Sequence, residues 1–252
     1  MRKEKVVFLE HNTLVLQVSG QFTLETSSQK ISMRSGQMLL IGKNQLGEIT
    51  KVPLPDEGGH YETVIISLQE DLLRKIALEE QIEIRQKYIG PPNVLIPGND
   101  FLQGYFQSVI PYVRNPEKKI PAAMGMLKVK EAVKLLLHVM PELSGFLFDF
   151  SEPYKIDLEK FMLSNFHFNV PVEKFAQLTG RSLAGFKRDF KKMFDTSPRQ
   201  WLQEKRLMEA RHLIEKKNKK PAAIYLDLGF ESLSHFSHSF KKKFGKAPSE
   251  WL

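Results

Sequence analysis

The chain has 252 residues and no cysteine, which excludes disulfide frameworks, thiolate zinc sites, iron–sulfur clusters and a cysteine nucleophile together. It is 42% hydrophobic and 26% charged, an ordinary globular balance, and no apolar run is long enough to span a bilayer. The net charge of +8 is one-sided: residues 171–252 hold 18 Lys and Arg against 9 Asp and Glu, whereas residues 1–170 hold 19 against 20. Such a split predicts that the last third meets a polyanion and the rest does not.

At the N-terminus, Val6–Leu9 is too short an apolar core for a secretory signal, so a cytoplasmic protein is expected. The first sixty-odd residues then read as strands. Leu14–Gly20 and Gln21–Ser27 flank a glycine turn, and Phe22, Leu24 and Thr26 alternate with polar neighbours. Ser35-Gly36 marks a turn before the apolar Met38–Ile41, and Tyr61–Gln69 is a further β-rich run. Short, closely spaced strands predict a small antiparallel sandwich or barrel. Phe8, Leu14, Leu16, Phe22, Leu24 and Met38 are candidates for its core or for a pocket lining.

From Glu70 the period becomes helical. Asp71–Glu80 and Asp100–Val113 are amphipathic, and Gly125–Met140 carries more Leu and Val than one stripe needs. That last helix is either buried on two sides, against its own barrel and a partner subunit, or wholly internal. Composition shifts at Asp149–Asp157, so one domain is expected over residues 1–150 and a second over 151–252.

The second domain contains a repeat. Leu183–Leu202 and Leu233–Leu252 align at a constant offset of fifty, identical at Leu183/Leu233, Phe186/Phe236, Phe190/Phe240, Lys191/Lys241, Lys192/Lys242, Phe194/Phe244, Pro198/Pro248, Trp201/Trp251 and Leu202/Leu252. Nine identities in twenty positions compare with roughly one or two by chance. In each copy the leucine and phenylalanines fall on one helical face, with the basic residues outside it. Upstream, Val172–Gly180 and Pro221–Phe230 each read as a short helix ended by a glycine turn, and Ser182 and Ser232 stand at N-cap positions. Each copy is therefore a predicted helix-turn-helix. Ser197-Pro198-Arg199-Gln200 opens a long connecting helix over Pro198–Glu215, about 25 Å long.

These residues resemble the DNA-binding domain of AraC/XylS-type bacterial transcription regulators over residues 157–252. The second copy matches at Gly229, Phe230, Ser232, Ser234, Phe236, Phe240, Lys241, Gly245 and Pro248. The first matches at Ala176, Ser182, Arg188, Phe190, Lys191, Ser197 and Pro198, and the connecting helix at Arg206, Leu207, Ala210 and Leu213. The sequence departs from the family at Tyr225, where a small alanine is usual, at Asp195 in place of glycine, and at Ala247 in place of a capping Ser or Thr. The first half resembles, by pattern, the cupin-type barrel that often precedes this domain. The resemblance thus implies an α+β chain: a cupin-like antiparallel β-barrel with accessory helices, then an all-α domain of two helix-turn-helix units joined by a long helix.

It also implies double-stranded DNA as partner, with Ala184, Lys187, Arg188, Ser234, His235 and His238 at base-contacting positions. The chemistry agrees: Arg188 can donate a bidentate pair to guanine, Lys187 and the histidines can donate to N7 or O6, and Ala184 can meet a thymine methyl. Ser182, Lys191, Lys192, Ser232, Lys241 and Lys242 are the candidate backbone contacts, which position without reading sequence. The first half is expected to modulate activity through a small-molecule or protein effector or through homodimerisation, with RNA polymerase a further partner if the protein is an activator. No cofactor, membrane contact or catalytic residue is expected.

The spacing of His235 and His238 would also suit two metal ligands, but no third ligand lies nearby, and the first copy has Gly185 and Arg188 in those slots. A metal-dependent cupin enzyme with a basic appendage is the alternative. It would need a cluster of histidines, and residues 1–100 contain only His11 and His60.

Overall fold

The computed structural model describes residues 2–82, 87–115, 121–151 and 156–251. Residues 152–155 of the expected boundary stretch and Leu252 of the repeat lie outside the described residues. The chain divides into two compact units, residues 1–151 and 152–252.

Among the described residues the first unit holds eight strands: β1 (Arg2–Leu9), β2 (Asn12–Ser19), β3 (Gln21–Thr26), β4 (Lys30–Met33), β5 (Met38–Ile41), β6 (Gln45–Val52), β7 (Glu62–Leu68) and β8 (Asn93–Ile96). They form two four-stranded antiparallel sheets, ordered β1-β6-β3-β4 and β7-β2-β5-β8. The β2–β3 turn needs Gly20: its φ is +80°, and a Cβ there would stand 2.8 Å from the Val52 carbonyl oxygen.

The two sheets differ in what covers them, and their sequences differ accordingly. Val15, Phe22, Leu24, Met33, Leu39 and Ile41 fill the space between the sheets. Leu14, Leu16, Met38, Leu40, Val64 and Val94 point the other way, onto helices α1 (Glu70–Glu79), α2 (Asp100–Arg114), α3 (Ala122–Val139) and α4 (Ser144–Leu147). The second sheet is therefore buried on both faces, which is why Met38–Ile41 is an unbroken apolar run while β3 alternates. Five of the six candidate pocket residues are thus split between two separate cores, Leu14, Leu16 and Met38 in one and Phe22 and Leu24 in the other, while half-buried Phe8 belongs to neither.

Of the expected sandwich or barrel, the two antiparallel sheets form the sandwich and do not close. Closure needs a continuous backbone ladder around the sheet. Between the β4 and β8 edges side-chain amides take that place: Gln29 Oε1 accepts from Asn93 N (3.1 Å) and Asn93 Nδ2 (3.0 Å), and Gln45 Nε2 donates to Asn93 Oδ1 (2.8 Å). Asn93 is buried, so these bonds also satisfy polar groups removed from water.

Helix α3 buries Ala132, Val133 and Leu136 in its second half, while Met124, Met126 and Leu127 in its first turns are exposed. An open groove of about 320 Å³ runs between α1 and α3, lined by Leu72, Ile76, Ala123, Met126 and Leu127 with Lys75, Glu79 and Lys130 at its rim. Lys130 and Lys134 both grip Glu80 at 2.7 Å, and these two lysines hold the Glu80 carboxyl down to about 2.

The second unit is helical: α5 (Leu158–Asn165), α6 (Val172–Leu178), α7 (Leu183–Phe194), α8 (Pro198–Lys217), α9 (Pro221–Ile224) and α10 (Leu233–Phe244), closed by a 3₁₀ turn at Pro248–Trp251. Two small aromatic cores, one on each side of α8, organise it. Among the described residues no helix is long and apolar enough to cross a membrane.

Candidate nucleic-acid interface

Each reading helix is started by its own sequence. Ser182 Oγ accepts from Gly185 N (3.1 Å) at the head of α7, and Ser232 Oγ accepts from His235 N (3.2 Å) at the head of α10. Each serine satisfies an amide that the first turn leaves without a carbonyl. Both serines are therefore occupied as helix caps, and both remain exposed. Both helices end in a left-handed residue, Asp195 (φ 51°) and Gly245 (φ 82°).

One ladder of rings fixes both helices. In the first helix-turn-helix copy Phe190 meets Phe186 at 5.4 Å, Phe194 at 4.5 Å and Trp201 at 5.6 Å. Fifty residues on, Phe240 meets Phe236 at 5.7 Å, Phe244 at 4.6 Å and Trp251 at 5.9 Å. With the inner face locked in the same way twice, the outer faces present corresponding slots: Ala184 with Ser234, Arg188 with His238, Lys191 with Lys241, and Lys192 with Lys242. All of these, with Lys187 and His235, are exposed.

The copies diverge at their turns. The turn glycine lies two residues before the cap in the first unit (Gly180, Ser182) and three before it in the second (Gly229, Ser232). The offset of fifty therefore holds along the reading helices and slips to forty-nine at the turn. The helix expected over Pro221–Phe230 is also shorter than predicted. α9 stops at Ile224, and turns carry the chain on through Leu228 N to Ile224 O (3.0 Å) and Phe230 N to Tyr225 O (3.0 Å). Tyr225 follows the stop, still in the right-handed helical region, and packs half-buried against the second core.

Polar partners distinguish the reading residues. Arg188 Nε lies 3.4 Å from Asp189 Oδ1, and its side chain is 77% exposed. Asp189 is held by Arg181 Nε at 3.2 Å, and Arg181 also donates to the carbonyls of Thr179 (2.8 Å) and Ile156 (3.0 Å). The Arg181 hydrogen bond, with Arg188 adding its charge, lowers the Asp189 pKa. Lys191 Nζ is turned back onto Asp195, 2.7 Å from its carbonyl oxygen and 3.0 Å from Oδ1. His235 leans on Phe230, with ring centroids 5.9 Å apart. Beside α7 an open groove of about 840 Å³ is lined by Lys187, Lys191 and Arg199, by the acids Glu173 and Asp195, and by Thr196, Ser197 and Gln200 with Val172 and Pro198.

Sequence reasoning missed Arg181 and Asp189. Their eight-residue separation crosses a turn, so no single helical period marks them as a pair. Asp189 places a carboxylate beside the outward face of α7. Asp189→Asn is expected to raise affinity for DNA of any sequence several-fold at low salt, since one repulsion with phosphate is removed. An unchanged affinity in a salt titration would place Asp189 away from the backbone.

Among the described residues no group of three or more His, Asp or Glu is placed to hold a metal ion. His235 and His238 stand as two exposed rings on the outer face of α10.

Residues 175–252 match a helix-turn-helix domain and residues 12–145 match the ExsA N-terminal regulatory domain. The chain is 26% identical over 241 residues to the virulence regulon transcriptional activator VirF of Yersinia enterocolitica, covering 90% of this chain and 83% of VirF. It is 25% identical over 240 residues to the thermoregulatory protein LcrF of Yersinia pestis, with the same coverage. The solved structure of ToxT from Vibrio cholerae is similar at 18% identity with a TM-score of 0.42, covering 100% of this chain and 94% of ToxT. Paired helix-turn-helix units behind a regulatory domain define a DNA-binding transcription regulator. The chain belongs to the AraC/XylS family and carries the ExsA-type N-terminal regulatory domain.

Proposed function

We propose that α7 and α10 enter adjacent major grooves on one face of a DNA duplex. Ala184, Lys187, Arg188, Ser234, His235 and His238 then meet base edges, while Ser182, Lys191, Lys192, Ser232, Lys241 and Lys242 lie against the backbone. The observation that carries this reading is the duplicated ring ladder, which turns corresponding residues outward in both copies. The length of α8 supports it: twenty residues make about 30 Å, close to the ~34 Å separating successive turns of a groove. Ser182 and Ser232 reach the backbone as the capped ends of their helices, where the free amides favour a phosphate.

On this reading residues 151–252 bind DNA in the cytoplasm and residues 1–150 set when they act, through an effector or a second copy. The exposed Met124, Met126 and Leu127 on α3 offer apolar surface for such a contact. Activation through RNA polymerase is the expected mode, since VirF is named as an activator.

The test is binding of the full chain to its own promoter region across a salt series. Log K should fall linearly with log salt, and alanine at any one of Lys192, Lys241 or Lys242 should reduce the slope by about 1. Equal affinity for promoter and random DNA at physiological salt would instead define a non-specific basic binder.

A further inference from the structure

Arg206 lies near the middle of α8, and among the described residues its hydrogen bonds go to backbone carbonyls rather than to an acid. Its Nε donates to the Phe166 carbonyl (2.8 Å), one terminal nitrogen to the Phe168 carbonyl (2.8 Å) and the other to the Gly229 carbonyl (3.1 Å). Burial alone brings its pKa down to about 10, so this cation is solvated by carbonyl oxygens rather than by a carboxylate. A half-buried charge without a counter-ion carries a desolvation cost, and a surface helix needs none at its middle. What it gains is geometric: a planar fork that ties three backbone points together.

Those three points belong to different reading units. Phe166 and Phe168 lead into α6 and so into α7. Gly229 is the turn glycine of the second unit, three residues before the cap of α10. The lead-in and the turn also meet directly. Asn169 Nδ2 donates to Glu231 Oε1 at 3.3 Å, and a Cβ on Gly229 would collide with the His167 carbonyl and come 2.9 Å from Arg206 Cζ. Lys243 Nζ reaches Glu204 at 2.7 Å from the far end of α10. Helix α8 alone would connect the two units end to end. The Arg206 fork adds a constraint off the helix axis, which is what sets rotation.

We infer that Arg206 fixes the spacing and rotation of the second reading helix relative to the first, and is a positioning residue for recognition of a two-site operator. The inference rests on the two-groove reading above. If two linked binding modules lose their mutual orientation, each keeps its own affinity and the pair loses its combined advantage.

The experiment uses the full chain. The parent and Arg206→Gln are titrated with DNA carrying both half-sites at native spacing, at spacings changed by one base pair either way, and with each half-site alone. In parallel, spin labels at Met193→Cys and Lys246→Cys report the distance between the two units; with no native cysteine, only these sites are labelled. In Arg206→Gln, affinity at native spacing should fall by on the order of tenfold to a hundredfold, with single half-sites bound within about twofold of the parent. Its spacing preference should flatten and its label distances broaden. A distance distribution as narrow as the parent's, or the parent's spacing profile, would overturn the assignment. Should the glutamine variant not fold, Arg206→Lys, which keeps the charge but not the fork, is measured in the same way. Failure of both to fold would make Arg206 a stability residue and also overturn the assignment. A parent with no spacing preference would count against the two-groove reading, and the label distances would still decide the role of Arg206.

Discussion

Phe240→Ala is expected to destabilise the second unit by about 3–5 kcal/mol, the range for removing a buried aromatic ring. Phe240 is fully buried and meets three other rings, Phe236, Phe244 and Trp251. The core around it is small: Leu207, Ala210, Ile214, Ile224, Leu228, Phe230 and Phe236 are its other buried members. A core of that size has few neighbours able to move into the cavity, so the cost should fall near the top of the range. It is comparable to the whole stability of a small domain, about 5–15 kcal/mol. Urea unfolding of the full chain should show it as a lowered midpoint for the helical unit. Phe190→Ala should cost a similar amount in the first unit, because its ring is equally buried in an equivalent ladder. A loss under about 1 kcal/mol in either variant would mean that the ladder is not the main support of its helix.

The second large effect is expected from Arg188→Ala. Its guanidinium is exposed and needs only to leave Asp189, 3.4 Å away, to reach a base. A bidentate pair with guanine contributes about 1–3 kcal/mol of discrimination, and the alanine variant should lose that at one base position while keeping its preferences elsewhere. Selection from random DNA by parent and variant reads this directly. Identical selected sequences would remove Arg188 from the reading residues. The thermal midpoint should move little, because the Arg188 side chain is mostly exposed and its ion pair with Asp189 is long and open to solvent on the arginine side.

The features legible in the sequence are local or repeated. Helical periods located α1, α2 and α3 because apolar residues three and four apart must share a face. The offset of fifty located both reading helices, their serine caps and their outward slots, because two copies had to bury the same rings against the same helix face. The alternation in β3 and the unbroken run in β5 are visible for a similar reason, since each records what covers a face.

Other features were hidden because their causes are distant in the chain. β6 sits between β1 and β3, a placement that its glycine and mixed polar residues, Gln45–Val52, do not mark within the strand-rich first sixty residues. β8 is four residues long and earns its place by pairing with β5. The open sandwich depends on Gln29, Gln45 and Asn93 meeting across 48 to 64 residues of chain. At Ala247 the sequence correctly marked a lost serine cap, but the structure keeps half of the capping box, with Glu250 accepting from the Ala247 amide.

The sequence by itself determined that this chain holds two helix-turn-helix units with basic outer faces on a long helix. Residues a few positions apart are bound together by helical geometry, and duplication shows the result twice. Tertiary structure alone decided how the two helix-turn-helix copies are held to each other within the helical domain. Arg206 bonds carbonyls 23, 38 and 40 residues away, and carbonyls carry no side-chain signature. An arginine on a basic helix reads as one more surface charge until the backbone of both units is seen closing around it.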